Sequence, residues 1–363
     1  MTSGLEGVVA AETVLSEVNG ESGRLIIRGV AVETLVATHR FEDVLSLLLT
    51  GFFDALPDRT ALPARLGAAR TQVFAHVQAI DDTLLSIAPA GALRALMARL
   101  PDASDIEAAL QLIAAPAVLL PALLRLRANR AAMAPDPSLS QAADMLRMLT
   151  GELAGPAPVA GLDAYLVAVA DHGLNASTFV SRIVASTGAG LASSVVAALG
   201  ALIGPLHGGA PGPVLDMLDA IGAPEHAEGW LEKALDRGER LMGFGHRIYR
   251  VRDPRADALK GALRRLTVEG APGNARLALA EAVEAAALAS LRRARPGRVL
   301  ETNVEFYTAI LLEALGFPRD AFTGVFAAGR TAGWLAHARE QAVTGRLIRP
   351  ASHYVGPAPL HAA

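Results

Sequence analysis

Cysteine is absent from this 363-residue chain, which removes disulfides, thiolate nucleophiles and Cys-based zinc or iron–sulfur sites. Aromatic residues are scarce at 4%, while hydrophobic residues overall reach 52%. A core built mainly from Ala, Leu and Val follows, which favours closely packed helices over a β-sandwich. Charged residues make up 19%, and that balance excludes global disorder. A basic excess is also lacking: 33 Lys and Arg face 36 Asp and Glu, net −3, so nothing drives nucleic-acid binding. Lys233 and Lys260 are the only lysines. The positive charge is therefore nearly all arginine, the better bidentate partner for carboxylates and phosphates, although codon composition alone accounts for such a bias. The opening residues show no basic segment followed by an apolar run, so no secretory signal is read and a cytoplasmic location is expected.

The length suggests about two domains on a prior of roughly 100–200 residues each. Residues 7–10 and 24–28 read as short strands around the turn cluster 19–23, a β-hairpin arm. Helical periods dominate afterwards: 41–49, 63–78, 104–113, 138–153, 162–170, 176–186, 191–202, 216–222, 227–240, 254–266, 274–293, 302–315 and 328–341. Gly155-Pro156-Ala157-Pro158 reads as a loop. Residues 183–215 carry no Asp, Glu, Lys or Arg, a length that raises the question of a membrane span. Their Ala, Gly and Ser content, with Gly204-Pro205 inside, points instead to helix buried in a large protein. The apolar run 108–124 is read as two helices joined at Pro116 and Pro121. The proline-bearing end, 345–363, reads as an extended tail of the kind that lies across a neighbouring subunit.

Three of the nine histidines sit in glycine-rich or polar surroundings: His172 in Asp171-His172-Gly173-Leu174-Asn175, His207 in Gly204-Pro205-Leu206-His207-Gly208-Gly209, and His246 in Gly243-Phe244-Gly245-His246. Glycine lets backbone approach a ligand closely, so such turns can present a ring to a pocket. His39, His76, His226, His337, His353 and His361 lack these surroundings and are expected at the surface or in packing. Metal binding is not supported, because no His-Glu-x-x-His or other ligand spacing occurs. A dinucleotide loop fails for want of a third glycine and a preceding strand, and a serine hydrolase for want of Gly-x-Ser-x-Gly. After His246 come Arg247, Arg250, Arg252 and Arg255, a cluster suited to an anion. Arg330 sits in an apolar run and needs a partner anion, from protein or ligand. Glu305 stands near a helix start, where a carboxylate also serves simply to complement the helix dipole.

Taken in order, these segments resemble the citrate synthase family. Residues Asp171 to Thr178 and Gly204 to Ala210 are similar to its two histidine motifs. Gly243 to Arg255 fits the signature G-F-G-H-x-[IV]-x-[RK]-x-x-D-P-R at every fixed position. Asn303-Val304-Glu305-Phe306-Tyr307, Arg330 to Trp334, Arg346 to Pro350 and Leu25 to Gly29 complete the likeness. The resemblance implies an all-α, two-domain homodimer with a short N-terminal β-hairpin arm. Its large domain would comprise 1–207 and 309–363, with a small domain at 208–308. It implies condensation of acetyl-CoA with oxaloacetate to citrate and CoA, the thioester being a substrate and no cofactor or metal being required. The alternatives are a 2-methylcitrate synthase using propionyl-CoA, or a weakly catalytic relative that binds these ligands as a sensor.

Residue by residue, the resemblance makes Glu305 the base, His207 the donor to the thioester oxygen and His246 the group that polarises the ketone. His172, Arg255 and Arg330 match oxaloacetate-binding positions, and Arg349 one supplied by a neighbouring subunit. Arg250, Gly243 and Gly245 match the CoA side, and Asn175 and Ser177 active-site polar positions. One departure is chemical: the family base is usually Asp, and Glu305 is longer by about 1.5 Å. A second follows His207, where Ala210-Pro211-Gly212-Pro213 replaces the more usual Ala-Asn run.

Overall fold

The computed structural model describes residues 4–5, 7–207, 211–246, 248–267 and 273–357. Gly208, Gly209 and Ala210 of the second histidine motif, Arg247 and His361 lie outside the described residues. Three short antiparallel strands open the fold: β1 (Ser16–Asn19), β2 (Arg24–Ile27) and β3 (Val30–Ala31). The expected turn at 19–23 is present and pairs Asn19 with Arg24. The expected strand at 7–10 is not. A hairpin's first strand must run directly into its turn, and the segment that does so is 16–19.

Helices carry almost everything else. They are α1 (Val32–Thr38), α2 (Phe41–Leu49), α3 (Leu62–Phe74), α4 (Asp82–Ser86), α5 (Pro89–Met97), α6 (Ile106–Arg127), α7 (Gln141–Thr150) and α8 (Pro156–Val169). Then follow α9 (Ala176–Ala185), α10 (Leu191–Leu202), α11 (Pro211–Ile221), α12 (Ala227–Asp236), α13 (Pro254–Thr267), α14 (Gly273–Ala294), α15 (Val304–Ala314) and α16 (Phe322–Thr344). The all-α class holds. Asp81, Asp105, Ser140, Asn175 and Asn303 each cap a helix by accepting from a backbone N–H of its first turn.

Several expectations need correction. Residues 108–124 form one helix, α6, that continues through Pro116 and Pro121. A proline inside a helix costs about 3 kcal/mol. Every residue from 112 to 124 is buried, and each large aliphatic among them contributes roughly 1.5–3 kcal/mol, which offsets the two prolines. By length and composition α6 could cross a membrane, but 78% of its apolar window is buried inside the protein. The charge-free stretch 183–215 is not one helix. It holds the end of α9, all of α10 and the start of α11, separated by turns at 186–188 and 203–207. Gly155-Pro156-Ala157-Pro158 is the start of α8 rather than a loop, since proline at the first helical position has its φ already set and no N–H to satisfy. The run beginning at Pro211 starts α11 in the same way. Helices α1, α4 and α5 were not anticipated, and α16 is longer at both ends than 328–341.

Two helices position the functional residues. The central helix α16 is buried along most of its length and packs on α6, α8, α9 and α10. Gly333 allows its closest approach: a Cβ there would lie 2.4 Å from the Ala170 carbonyl oxygen. Helix α8 packs at once against α13, α15 and α16, the helices that carry Arg255, Glu305 and Arg330.

Candidate active site

The signature loop between α12 and α13 is stitched to the chain entering α15. The Gly245 N–H donates to the Glu301 carbonyl at 2.7 Å, and the Asn303 N–H to the Gly243 carbonyl at 3.0 Å. Asn303 Nδ2 donates to the Gly245 carbonyl at 2.8 Å, while Asn303 Oδ1 caps α15 by accepting from the Glu305 N–H at 3.0 Å. Gly243 adopts φ +85°, and a Cβ there would lie 2.7 Å from the Phe306 ring, so only glycine fits. These bonds set His246 and Glu305 on adjoining segments. The hairpin arm supports the loop from outside through a bond from the Arg250 N–H to the Gly20 carbonyl, 2.9 Å.

His246 has a defined tautomer. Its Nδ1 accepts from the N–H groups of Ile248 and Tyr249 at 3.0 and 3.1 Å, so the ring proton sits on Nε2. Its ring centroid lies 5.7 Å from that of His172 and 4.8 Å from that of Tyr249. Tyr249 in turn hydrogen-bonds His172 Nε2 at 3.0 Å. Arg255 is buried in a bidentate pair with Asp253, 3.0 and 2.7 Å, and Asp253 also accepts from the Val304 N–H. Arg330 is buried as well. Its Nε donates to the Val169 carbonyl at 2.5 Å and its guanidinium lies over Phe326, yet no carboxylate pairs with it among the described residues. Among the described residues, then, no carboxylate within ion-pair distance supplies the expected partner anion, although the charge of Asp171 acts on Arg330 from further away.

Burial and the two guanidiniums set the charge states. Burial, with the positive charges of Arg255 and Arg330, holds His172 well below its ordinary value. Burial and then Arg255 bring His246 down to about 4. Burial lifts Glu305 to about 7, against the pull of Arg255 and with a push from Asp253. Burial lowers Arg330 to about 10. At neutral pH the site therefore holds two neutral imidazoles, two buried cations, and a carboxyl group poised at its midpoint.

His207 stands on a different wall. The Ser177 N–H donates to its Nε2 at 3.3 Å, with Ser177 Oγ at 2.7 Å, which leaves the ring proton on Nδ1. With its one hydroxyl proton directed at Nε2, Ser177 Oγ lies 2.9 Å from Asn175 Oδ1 and accepts from Trp334 Nε1 of α16, so Asn175, Ser177 and His207 form one set. Arg349 is not part of its own chain's cluster. It is exposed in the tail, next to Ile348, whose N–H reaches Ser186 at the far end of α9.

A cavity of about 1030 Å³ opens beside His246 and Gly245. Arg240, Arg250, Arg295 and Arg298 line it, and none of the four is paired with a carboxylate among the described residues. Gly243 is packed against Phe306 rather than lining this space. The sequence reading missed Arg240, Arg295 and Arg298, although the arginine-rich run 292–298 could have flagged the last two. It also missed Tyr249 and Tyr165. The Tyr165 hydroxyl is buried without a hydrogen-bond partner among the described residues, and the nearby charges acting on it are those of Glu305, Arg330 and Arg255. Among the described residues no group of three or more metal-ligating side chains is gathered.

Converging His, Arg and Glu side chains beside an arginine-lined cavity define a helical enzyme acting on anionic substrates. The chain belongs to the citrate synthase family: the family model described as citrate synthase, C-terminal domain, matches residues 4–351. A putative citrate synthase 2 of Mycobacterium tuberculosis is 42% identical, over 98% of this chain and 93% of that protein. A citrate synthase of Haloferax volcanii is 37% identical, over 97% and 95%. Among solved structures, citrate synthase from Pyrobaculum aerophilum superposes with a TM-score of 0.86 at 31% identity, covering 99% of this chain and 93% of that one. A citrate synthase from Thermoplasma acidophilum, solved as a ternary complex with carboxymethyl coenzyme A and oxaloacetate, also gives a TM-score of 0.86 at 28% identity, covering 100% of this chain and 98% of that one.

Proposed function

We propose that this chain condenses a short acyl-CoA, acetyl-CoA first, with oxaloacetate and hydrolyses the resulting thioester to citrate and CoA. The observation that carries the reading is the charge arrangement: two buried arginines, one without a carboxylate in ion-pair range among the described residues, stand beside a carboxyl group raised to about 7 and a neutral histidine whose Nε2 carries its proton. In this reading Arg255, Arg330 and His172 hold the ketodiacid. Glu305 takes a proton from the thioester methyl group, and His207 donates from Nδ1 to the thioester oxygen, which stabilises the enol. The enol carbon then bonds to the ketone carbon. His246 polarises the ketone oxygen and delivers a proton to the alkoxide, and water cleaves the thioester.

The four arginines of the large cavity suit the phosphates of CoA. Replacing Arg295 and Arg298 together by Ala is expected to raise KM for acyl-CoA about tenfold, with kcat little changed. The increase should shrink at high salt, because the side chains are exposed. Steady-state kinetics at two ionic strengths check this.

A homodimer in which Arg349 completes the neighbouring site fits the exposed tail, and closure of a small domain, 208–308, over 1–207 and 309–363 would bring His207 to the cluster. A cytoplasmic location fits the same assignment, and the chemistry needs no metal or cofactor. Oxaloacetate-dependent release of free thiol tests the function, and the absence of cysteine keeps its background low. Comparing acetyl-CoA with propionyl-CoA in that assay separates citrate from 2-methylcitrate synthesis. Binding of both substrates with no thiol released would mean a sensor.

A further inference from the structure

We propose that His337 is a positioning residue for His172, acting through a buried clamp on the segment that carries His172. The inference rests on the reading of His172 as a binding residue. His337 lies on α16 one turn beyond Gly333 and is fully buried. Arg182 of α9 donates to its Nδ1 at 2.8 Å, so that nitrogen is the acceptor and the ring proton sits on Nε2. Nε2 faces Asp171, 3.3 Å from Oδ1. Arg182 is held in turn by Glu340, 2.5 Å, and Gln341, 3.0 Å, both one turn further along α16. A chain of polar contacts therefore runs from Glu340 through Arg182 and His337 to Asp171, the residue next to His172.

The opposite side of the segment is fixed from β1. Ser16 Oγ donates to Asp171 Oδ2 and accepts from the Gly173 N–H at 3.0 Å. The carbonyl of Ala170 lies against Gly333 and accepts from its N–H at 3.1 Å. Residues 170, 171 and 173 are each pinned, by α16 on one side and the arm on the other. Only the ring of His172 projects freely, towards Tyr249, His246 and the two guanidiniums. Among the described residues its side-chain partner is Tyr249, and the position of its ring otherwise follows from the backbone beneath it. Burial alone would raise Asp171, yet His337, Arg330 and Ser16 together keep it below the usual carboxylate value, so it stays ionised as the clamp requires.

The test compares His337→Leu, His337→Gln and Ser16→Ala. Gln can donate to Asp171 with its amide nitrogen and accept from Arg182 with its oxygen, whereas Leu can do neither. The Leu variant is expected to raise KM for oxaloacetate about 10–100-fold while KM for acyl-CoA is unchanged, and Gln is expected to restore most of it. Ser16→Ala, at a half-buried position on the arm, is expected to give a rise of about threefold with the melting temperature unchanged. The 15N imidazole resonances of His172 in the unliganded protein should shift in the Leu and Ala variants and not in the Gln variant. Wild-type KM and His172 resonances in a folded Leu variant would overturn the proposal. If the Leu variant does not fold, unaltered His172 resonances in Ser16→Ala overturn it. A wild-type protein that neither binds oxaloacetate nor releases thiol contradicts the assigned reaction instead, and the resonance comparison then still decides the clamp.

Discussion

Glu305→Gln is expected to lower turnover by about 10²–10⁴-fold while oxaloacetate binding stays close to wild type. The replacement keeps shape and volume and removes only the ability to accept a proton. The unaltered enzyme should show kcat/KM rising with pH through about 7, because Glu305 must be ionised to act and its value lies there. His246, at about 4, and His172, held well below its ordinary value, stay neutral over that range and add no second limb. The same shift has a consequence for stability. A folded-state value of about 7 above an ordinary 4.5 means that the folded protein binds the extra proton between those limits. Stability from this group is full below 4.5 and is lost as pH rises through 7. The Gln variant should accordingly be more stable than wild type at pH 8, by about 1–3 kcal/mol, since Glu305 is only half-buried. Denaturant unfolding at pH 5 and pH 8 checks the sign.

The second large effect separates the two buried arginines. Among the described residues no carboxylate lies within ion-pair distance of Arg330, and burial outweighs the more distant charge of Asp171 to lower it to about 10, so its charge is a net cost to the empty protein. Arg330→Met is expected to raise KM for oxaloacetate about 10²–10³-fold, the loss of a buried charge pair with the substrate, and to leave stability unchanged or improved. Arg255 differs because it neutralises Asp253 within the protein. Arg255→Met should lose binding to a similar degree and also destabilise the fold by about 3–5 kcal/mol, because Asp253 is then a buried carboxylate without a cation. Adding Asp253→Asn should recover stability and not binding. Urea midpoints and oxaloacetate KM values for the three variants make the comparison.

Much of this arrangement is legible in the chain. The two glycines and the histidine of 243–246, Asp253 and Arg255 are close in sequence, so a loop and one helix start suffice to place them. Arg330 stood out because a lone guanidinium in an apolar run requires an anion, and that requirement is local. His337 was not legible. Its surroundings are as apolar as a packing position, and its importance comes from Arg182 and Asp171, which are remote in sequence and meet it only through the packing of α9, α16 and the end of α8. Arg240, Arg295 and Arg298 were missed for a similar reason, since three separate segments close one cavity. The prolines of α6 misled because local backbone cost is overridden by burial on every side, which a linear reading does not show. The first strand of the arm was displaced because the short apolar run at 7–10 was given more weight than adjacency to the turn.

The central claim is that Glu305 removes a proton from the thioester methyl group while a dicarboxylate occupies the arginine pair. Deuterium entry into the methyl group of acetyl-CoA measures that step without condensation, when the enzyme is mixed in deuterated water with a four-carbon hydroxydiacid that lacks the reactive ketone. Wild-type enzyme should incorporate deuterium at a rate that rises through about pH 7, and Glu305→Gln should incorporate none above background. Equal incorporation by the two proteins would contradict the account.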